Sequence, residues 1–270
     1  MDDHDRGLAF DLPNLVTRRR VLTLLGGVVA AVVVGCSGDD DDSTSAGAST
    51  TSSTTAAGSA ACDAPIPAET AGPFPGDGSN GPDALRESGI VRSDITSSFG
   101  SSTTTAEGVP VTVRLLIQDQ AKGCAPMADA AVYVWHCDRE GRYSMYSQGA
   151  TDENYLRGVQ KTDASGLVSF KSIVPACYSG RWPHIHFEVY SSVDDATNSG
   201  KPIATSQLAV PEDTCNTVFA VAGYEKSVRN LSQVSLARDN VFGDDGGARQ
   251  LATVSGSVDA GYTFELTVPV

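Results

Sequence analysis

Short segments in which apolar and polar residues alternate run through the second half of the chain. The first two, Val109–Asp119 (VPVTVRLLIQD) and Ala130–Asp138 (AAVYVWHCD), are rich in β-branched and aromatic residues. The pattern returns in GLVSFKSIV, HIHFEVY, IATSQLAV and YTFELTVPV, and turn-forming stretches such as DREGR, TDASG and NSGKP separate the segments. This arrangement predicts an all-β fold, an antiparallel β-sandwich with little helix. Lys226–Asn240 is the best candidate for one helix or an irregular crossing.

The amino terminus has a different pattern. An arginine cluster, Arg18–Arg20, precedes an apolar run, Val21–Val34, which is short for a membrane span and ends in small residues before Cys36. Residues 1–36 are therefore predicted to be a signal peptide that resembles a twin-arginine export signal. VVGC resembles a lipoprotein processing box, in which Cys36 becomes the lipidated first residue. The alternative is an uncleaved membrane anchor, which predicts the same location.

Residues 37–61 are almost entirely Ser, Thr, Ala, Gly and Asp. A segment without large apolar side chains cannot offset its ordering entropy, so the composition predicts a disordered linker. The folded domain is expected over residues 62–270. Together with the signal, the linker predicts an exported protein that is lipid-anchored on the outer face of the cell membrane.

Composition and charge narrow the possible partners. The chain has 270 residues, of which 40% are hydrophobic, enough to build the core of one domain. Its formal net charge of -14 argues against nucleic acid or an anionic lipid surface as the partner, because both require a basic patch. Five cysteines follow Cys36. In an oxidising compartment they can form at most two internal disulfides and leave one thiol.

The stretch GRWPHIHFEVY contains two of the chain's four histidines. On a β-strand His184, His186 and Glu188 face one side, while the apolar residues between and after them face a core. Two imidazoles on one face are the usual start of a metal site. The alternative is that they line a polar strand face and bind nothing.

Two tyrosines could complete such a site. Tyr178 lies six residues before His184, and Tyr143 lies in the stretch WHCDREGRYS. Two phenolates and two imidazoles form a mixed oxygen and nitrogen set that suits ferric iron. Taken alone, each tyrosine is more often a strand aromatic than a metal ligand. A hydrolytic zinc site on the two histidines is a further alternative, and it would need a carboxylate or a third imidazole.

Four stretches together resemble the intradiol ring-cleavage dioxygenases, in particular the exported bacterial relatives of the catechol and protocatechuate dioxygenases. They are AETAGPFPGDG, VYVWHCDREGRYS, YLRGVQKTDASGLVSFKSIVPACYSGRWPHIHF and TSQLAVPE, and the resemblance covers roughly Ala68 to Val270. The family fold is a β-sandwich, as the strand pattern also predicts.

The resemblance implies a role for each candidate residue. Fe(III) would be held by Tyr143, Tyr178, His184 and His186. Tyr178 would be the ligand displaced by substrate and could act as a base, Arg181 would lie against the substrate and the negative charge developing on it, and Gln207 would border the pocket. The spacing between Tyr178 and His184 is shorter than in the protocatechuate enzymes, and the signal and linker replace the helical dimerisation domain of the cytosolic catechol enzymes.

The implied reaction is cleavage of a catechol-type ring by O2 between its two hydroxyl-bearing carbons, which gives a muconate-type diacid. The alternative function is an inactive sandwich-fold lipoprotein that binds aromatic or surface ligands. His136, close to the first predicted ligand, is expected to support the site or the fold. A disulfide between Cys137 and Cys177 would brace the site, since each adjoins one of its residues. The natural catechol, the oligomeric state and the cysteine connectivity are left open.

Overall fold

The computed structural model describes residue 62 and residues 64–270. The predicted signal peptide, the lipidation residue Cys36 and the linker over residues 37–61 lie outside this part of the chain. Within it, no helix has the length and apolar character needed to cross a bilayer.

The described residues form two packed sheets. Their strands, in chain order, are β1 Pro110–Asp119, β2 Ala125–Pro126, β3 Ala131–Trp135, β4 Arg157–Lys161, β5 Leu167–Ile173, β6 His184–Tyr190, β7 Ala204–Ala209, β8 Thr253–Ser257 and β9 Gly261–Pro269. One sheet has the order β2-β1-β9-β8, with β5 also paired to β1, and the other has the order β4-β3-β6-β7. The predicted β-sandwich is confirmed.

Strand β6 is central in the second sheet and carries the two histidines. It pairs with β3, where His186 lies opposite Trp135, and with β7, where His186 lies opposite Gln207. The core-facing residues of β6 pack between the sheets against apolar side chains of β1, β5 and β9. They are Ile185, Phe187 and Val189. Because side chains alternate along a strand, His184 and His186 point to the opposite, outer face. That face is covered too, and both histidines are buried.

Two details of the sheets differ from the prediction. β1 and β9 run parallel, with Val111 opposite Tyr262, so the first sheet is mixed and not purely antiparallel. β2, β4 and β8 were not predicted. β2 has two residues, β4 carries Gly158 in the sequence RGVQK, and β8 (TVSGS) is mostly exposed. Strands so short or so polar lack the alternation on which the prediction depends.

Helix is scarce in the part of the chain that the structure describes, as predicted. The helices are α1 Val193–Thr197, α2 Glu212–Val218 and α3 Glu225–Leu231, with single 3-10 turns at Gln120–Lys122, Leu236–Arg238 and Phe242–Asp244. Lys226–Asn240, predicted as one helix or an irregular crossing, is α-helical only in its first part. The irregular remainder crosses the end of the second sheet and brings Asp239 to Arg181.

The disulfide prediction is wrong. Cys62 bonds to Cys124, which ties the start of the domain to the β1–β2 connection. Cys137 and Cys177 are free and buried. Their thiols contact the backbone oxygens of Ala176, at 3.7 Å, and Arg181, at 3.5 Å. Proximity in sequence to the site was therefore a poor guide to pairing.

Candidate metal centre

Four side chains from three chain segments converge beside the first residues of β6. Tyr143 comes from the β3–β4 connection and Tyr178 from the β5–β6 connection. His184 Nε2 lies 3.4 Å from Tyr143 Oη, 3.3 Å from Tyr178 Oη and 3.1 Å from His186 Nε2. The sequence prediction named these four residues as one ligand set, and the fold brings their donor atoms together.

The spacing of these donor atoms fits a shared metal ion. Ligand atoms that each lie about 2 Å from one ion, at roughly right angles, are about 3 Å from one another. Two phenol oxygens and two imidazole nitrogens form the hard, mixed donor set that suits Fe(III). No group of three or more His, Cys, Asp or Glu side chains is placed to hold a metal ion among the residues that the structure describes. The zinc alternative therefore lacks its third ligand there.

The two imidazoles are oriented by different means. His184 Nδ1 donates to the backbone oxygen of Trp182 at 2.6 Å, which leaves its Nε2 with a free lone pair. His186 Nδ1 is buried without a hydrogen-bond partner. Instead, its ring stacks on Trp135 with 4.8 Å between centroids and 5° between planes. On its other side the backbone of Gly72 approaches closely, since a Cβ there would lie 3.2 Å from His186 Cε1.

Burial sets the protonation of the site. It lowers the pKa of both His184 and His186 well below the usual value, and a nearby cation, Arg181, lowers the pKa of His184 further. The imidazoles are therefore neutral, which is the form that binds a metal. Burial also raises the pKa of Tyr143 well above its usual value, with a further contribution from Tyr178. A phenolate in this position requires a positively charged partner.

Arg181 lies beside the four donors and is held from two sides. Its Nε donates to Asp239 Oδ2 at 3.0 Å and its Nη2 donates to Gln207 Oε1 at 2.7 Å. Gln207 Nε2 in turn donates to the backbone oxygen of Thr70 at 2.9 Å. The structure thus groups the two predicted substrate-binding residues, Arg181 and Gln207, and adds Asp239, which the sequence prediction missed. An aspartate in an irregular crossing far along the chain carries no pattern that could have revealed it.

A second buried arginine supports the Tyr143 loop. All five N–H donors of Arg157 are used, by Ser144 Oγ, Ser144 O, Phe74 O, Pro75 O and Tyr133 Oη, at distances from 2.9 to 3.1 Å. Ser144 follows Tyr143 directly, and the Phe74 ring lies 4.9 Å from the Tyr143 ring. Arg157 therefore joins the loop that carries one donor to the segment packed over it.

Three further polar side chains, those of His136, Tyr155 and Tyr190, have structural roles. His136 donates through Nδ1 to its neighbour's carbonyl at 2.8 Å, and its Nε2 accepts from Ser172 Oγ at 2.6 Å, so neither nitrogen is available to a metal. Burial lowers the pKa of His136 to about 4. Tyr155 and Tyr190 donate to the carboxylates of Asp138 and Glu188.

Comparison with known proteins finds similarity to dioxygenases. Residues 91–186 match the model of a family described as dioxygenase. The segment includes all four donor residues and Arg181. A stretch of 54 residues is 43% identical to catechol 1,2-dioxygenase 2 of Acinetobacter lwoffii. That stretch spans 20% of this chain and 19% of the length of that enzyme.

Solved structures share the fold. An intradiol ring-cleavage dioxygenase from Tetranychus urticae superposes with a TM-score of 0.57 at 24% identity, covering 68% of this chain and 87% of that one. A second dioxygenase structure gives a TM-score of 0.56 at 23% identity with the same coverage.

Proposed function

The comparisons confirm the resemblance to the intradiol ring-cleavage dioxygenases, and from that premise we propose that this chain is an Fe(III)-dependent dioxygenase. Its substrate would be a catechol-type aromatic diol, opened by O2 between the two hydroxyl-bearing carbons to a muconate-type diacid. The single observation that carries the proposal is the convergence of Tyr143, Tyr178, His184 and His186 on one point.

In this proposal the four converging side chains hold the iron, which when bound would activate the diol towards O2. The chain's own groups supply the rest. Arg181 is a buried cation next to the donors, where it can stabilise negative charge that grows on the substrate during oxygen attack. Tyr178 is only partly buried, unlike Tyr143, so its phenolate would be the more accessible of the two to exchange with substrate and to accept a proton.

The protein environment also excludes water from His186 and Tyr143. Trp135, Phe74 and the Gly72 backbone pack around His186 and Tyr143, and both donors are buried. A dry site strengthens the interaction between Arg181 and developing charge. Export and lipidation at Cys36 remain part of the proposal. They would place the activity outside the cell membrane, where environmental phenols are met.

The test begins with the purified iron-loaded protein. It should contain about one iron per chain and absorb in the visible region through phenolate-to-iron charge transfer. Oxygen uptake with catechol, protocatechuate or hydroxyquinol should accompany ring opening between the hydroxyl-bearing carbons. A colourless protein that holds zinc would overturn the metal assignment. Full iron loading without uptake on any diol would favour the inactive binding lipoprotein.

Tyrosine variants test the ligand set. Tyr143→Phe and Tyr178→Phe should each change the visible band, because each removes one phenolate. The matched control is Tyr190→Phe, which removes a buried phenol that donates to Glu188 at 2.7 Å and should leave the band unchanged. An unaltered spectrum in either ligand variant would remove that tyrosine from the set.

A further inference from the structure

We propose that Asp239 is a positioning and specificity-determining residue, which fixes Arg181 and neutralises its charge, so that the site favours uncharged catechols over carboxylated ones. The inference rests on the proposed function and names its substrate class. It depends on the buried pair formed by Asp239 and Arg181.

Asp239 is bound on all sides. One oxygen, Oδ2, accepts from Arg181 Nε at 3.0 Å and from the backbone N–H of Trp182 at 2.6 Å. The other, Oδ1, accepts from the backbone N–H groups of Val241 at 2.8 Å and Phe242 at 3.1 Å. The carboxylate therefore joins the crossing segment to the residues just before β6. With Gln207 at 2.7 Å on Nη2, it gives the guanidinium one fixed orientation.

The pair also removes the net positive charge from this side of the site. Both side chains are buried, with 2% of the Arg181 side chain and 0% of the Asp239 side chain exposed. Charges act over longer distances in such surroundings than in water. A substrate group nearby therefore meets the field of a neutral pair and not that of a free arginine. The fixed guanidinium stays oriented to stabilise charge that forms during the reaction.

The other described charges near the site give a substrate carboxylate no hydrogen-bond partner, although Arg157 acts on His186 as a positive charge. The Glu69 carboxyl lies within electrostatic range of Arg181, and Asp244 and Asp245 lie within range of Glu69. Arg157 uses its five donors on the protein itself. A carboxylate on the substrate ring would gain no partner from these groups, and the ionised fraction of Glu69 would repel it. An uncharged ring avoids that repulsion.

Binding of two diols that differ by one carboxylate tests the inference. The iron-loaded protein is titrated without oxygen with catechol and with 3,4-dihydroxybenzoate, and the visible band gives a Kd for each. The parent should bind catechol more tightly. Asp239→Asn removes one negative charge and should shift the Kd ratio towards 3,4-dihydroxybenzoate on the order of tenfold, from Coulomb interaction over several ångströms at intermediate dielectric. Because the two Kd values are compared as a ratio, a loss of affinity that is common to both diols cancels.

Two further variants keep the result interpretable. Asp244→Asn removes a carboxylate of the same segment that does not contact Arg181, and it should change the ratio less than about twofold. Gln207→Glu places a second negative charge on Arg181 and should shift the ratio further towards catechol. This variant tests the inference even if Asp239→Asn does not fold.

The outcomes separate the two proposals. Opposite shifts in the Asp239 and Gln207 variants support the inference. The inference is overturned if both diols bind the parent but neither variant changes the Kd ratio. It is also overturned if the parent prefers 3,4-dihydroxybenzoate. Either outcome leaves the proposed function intact. If neither diol binds the iron-loaded parent, the proposed function fails and the inference fails with it.

Discussion

Replacing Arg157 by lysine is the most direct test of how the Tyr143 loop is held. The guanidinium has no acidic partner within reach of an ion pair among the described residues, and five acceptors from three segments satisfy its five donors. Lysine keeps the charge but offers three donors, so at least two of these acceptors lose their partner. A buried acceptor left without a partner costs about 1–3 kcal/mol. We therefore expect Arg157→Lys to lower the free energy of unfolding by about 2–6 kcal/mol.

Urea unfolding followed by circular dichroism and tryptophan fluorescence measures the change. The control is Arg114→Lys, at an exposed pair in which Arg114 lies 2.6 Å from Glu265, and it should cost less than about 1 kcal/mol. The iron-loaded Arg157 variant should also show a shifted visible band, because Ser144 is displaced next to Tyr143. If both lysine variants unfold at the parent's urea midpoint, the five bonds do not stabilise the fold as argued.

Three further changes probe the supports of the site. Burial raises the pKa of Glu69 to about 7 from 4.5, so its ionisation opposes folding above pH 7 and has no effect below pH 4.5. Glu69→Gln should therefore raise the free energy of unfolding by about 2 kcal/mol at pH 8, after allowance for solvent screening, and leave it unchanged at pH 4. Urea titrations at the two pH values measure the difference. A pH-independent effect would contradict this. Trp135→Leu should weaken iron binding on the order of tenfold in chelator competition, and Trp135→Phe less, because phenylalanine keeps a ring on His186; equal losses would exclude stacking as the cause. Removing the Cys62–Cys124 bond, which closes a sequence separation of 62, should cost about 4 kcal/mol. Reductant should reproduce that loss in the parent and leave the double serine variant unchanged.

Most of the fold could be predicted because the longer strands alternate apolar residues, which face the core, with more polar ones. β6 is the clearest case, with Ile185 and Phe187 towards the core and His184 and His186 away from it. The parallel pairing of β1 with β9 could not be predicted, because both strands show the same apolar alternation whichever direction their neighbour runs. The short strands and the free cysteines were missed for a similar reason, since neither has a local pattern.

The four donor residues could be predicted because two tyrosines and two histidines rarely occur together at such spacing. The residues that orient them could not be predicted. Asp239 reaches Arg181 from 58 positions away. Arg157 reaches Phe74 from 83 positions away. These contacts depend on how the segments cross, and a buried arginine or aspartate is indistinguishable in sequence from a solvated one.

Burying a charged guanidinium costs free energy. The two buried arginines offset that cost in different ways, and the difference bears on function. Arg157 is satisfied by carbonyl and hydroxyl dipoles alone, so it keeps its full charge but has no donor left for another group. Arg181 is paired with a carboxylate, so its charge is compensated while its orientation is fixed. A cation that only supports the loop can do without a counter-ion. One that faces a changing substrate is better paired, because an uncompensated charge would hold any anion in the ground state as firmly as the charge that develops during the reaction.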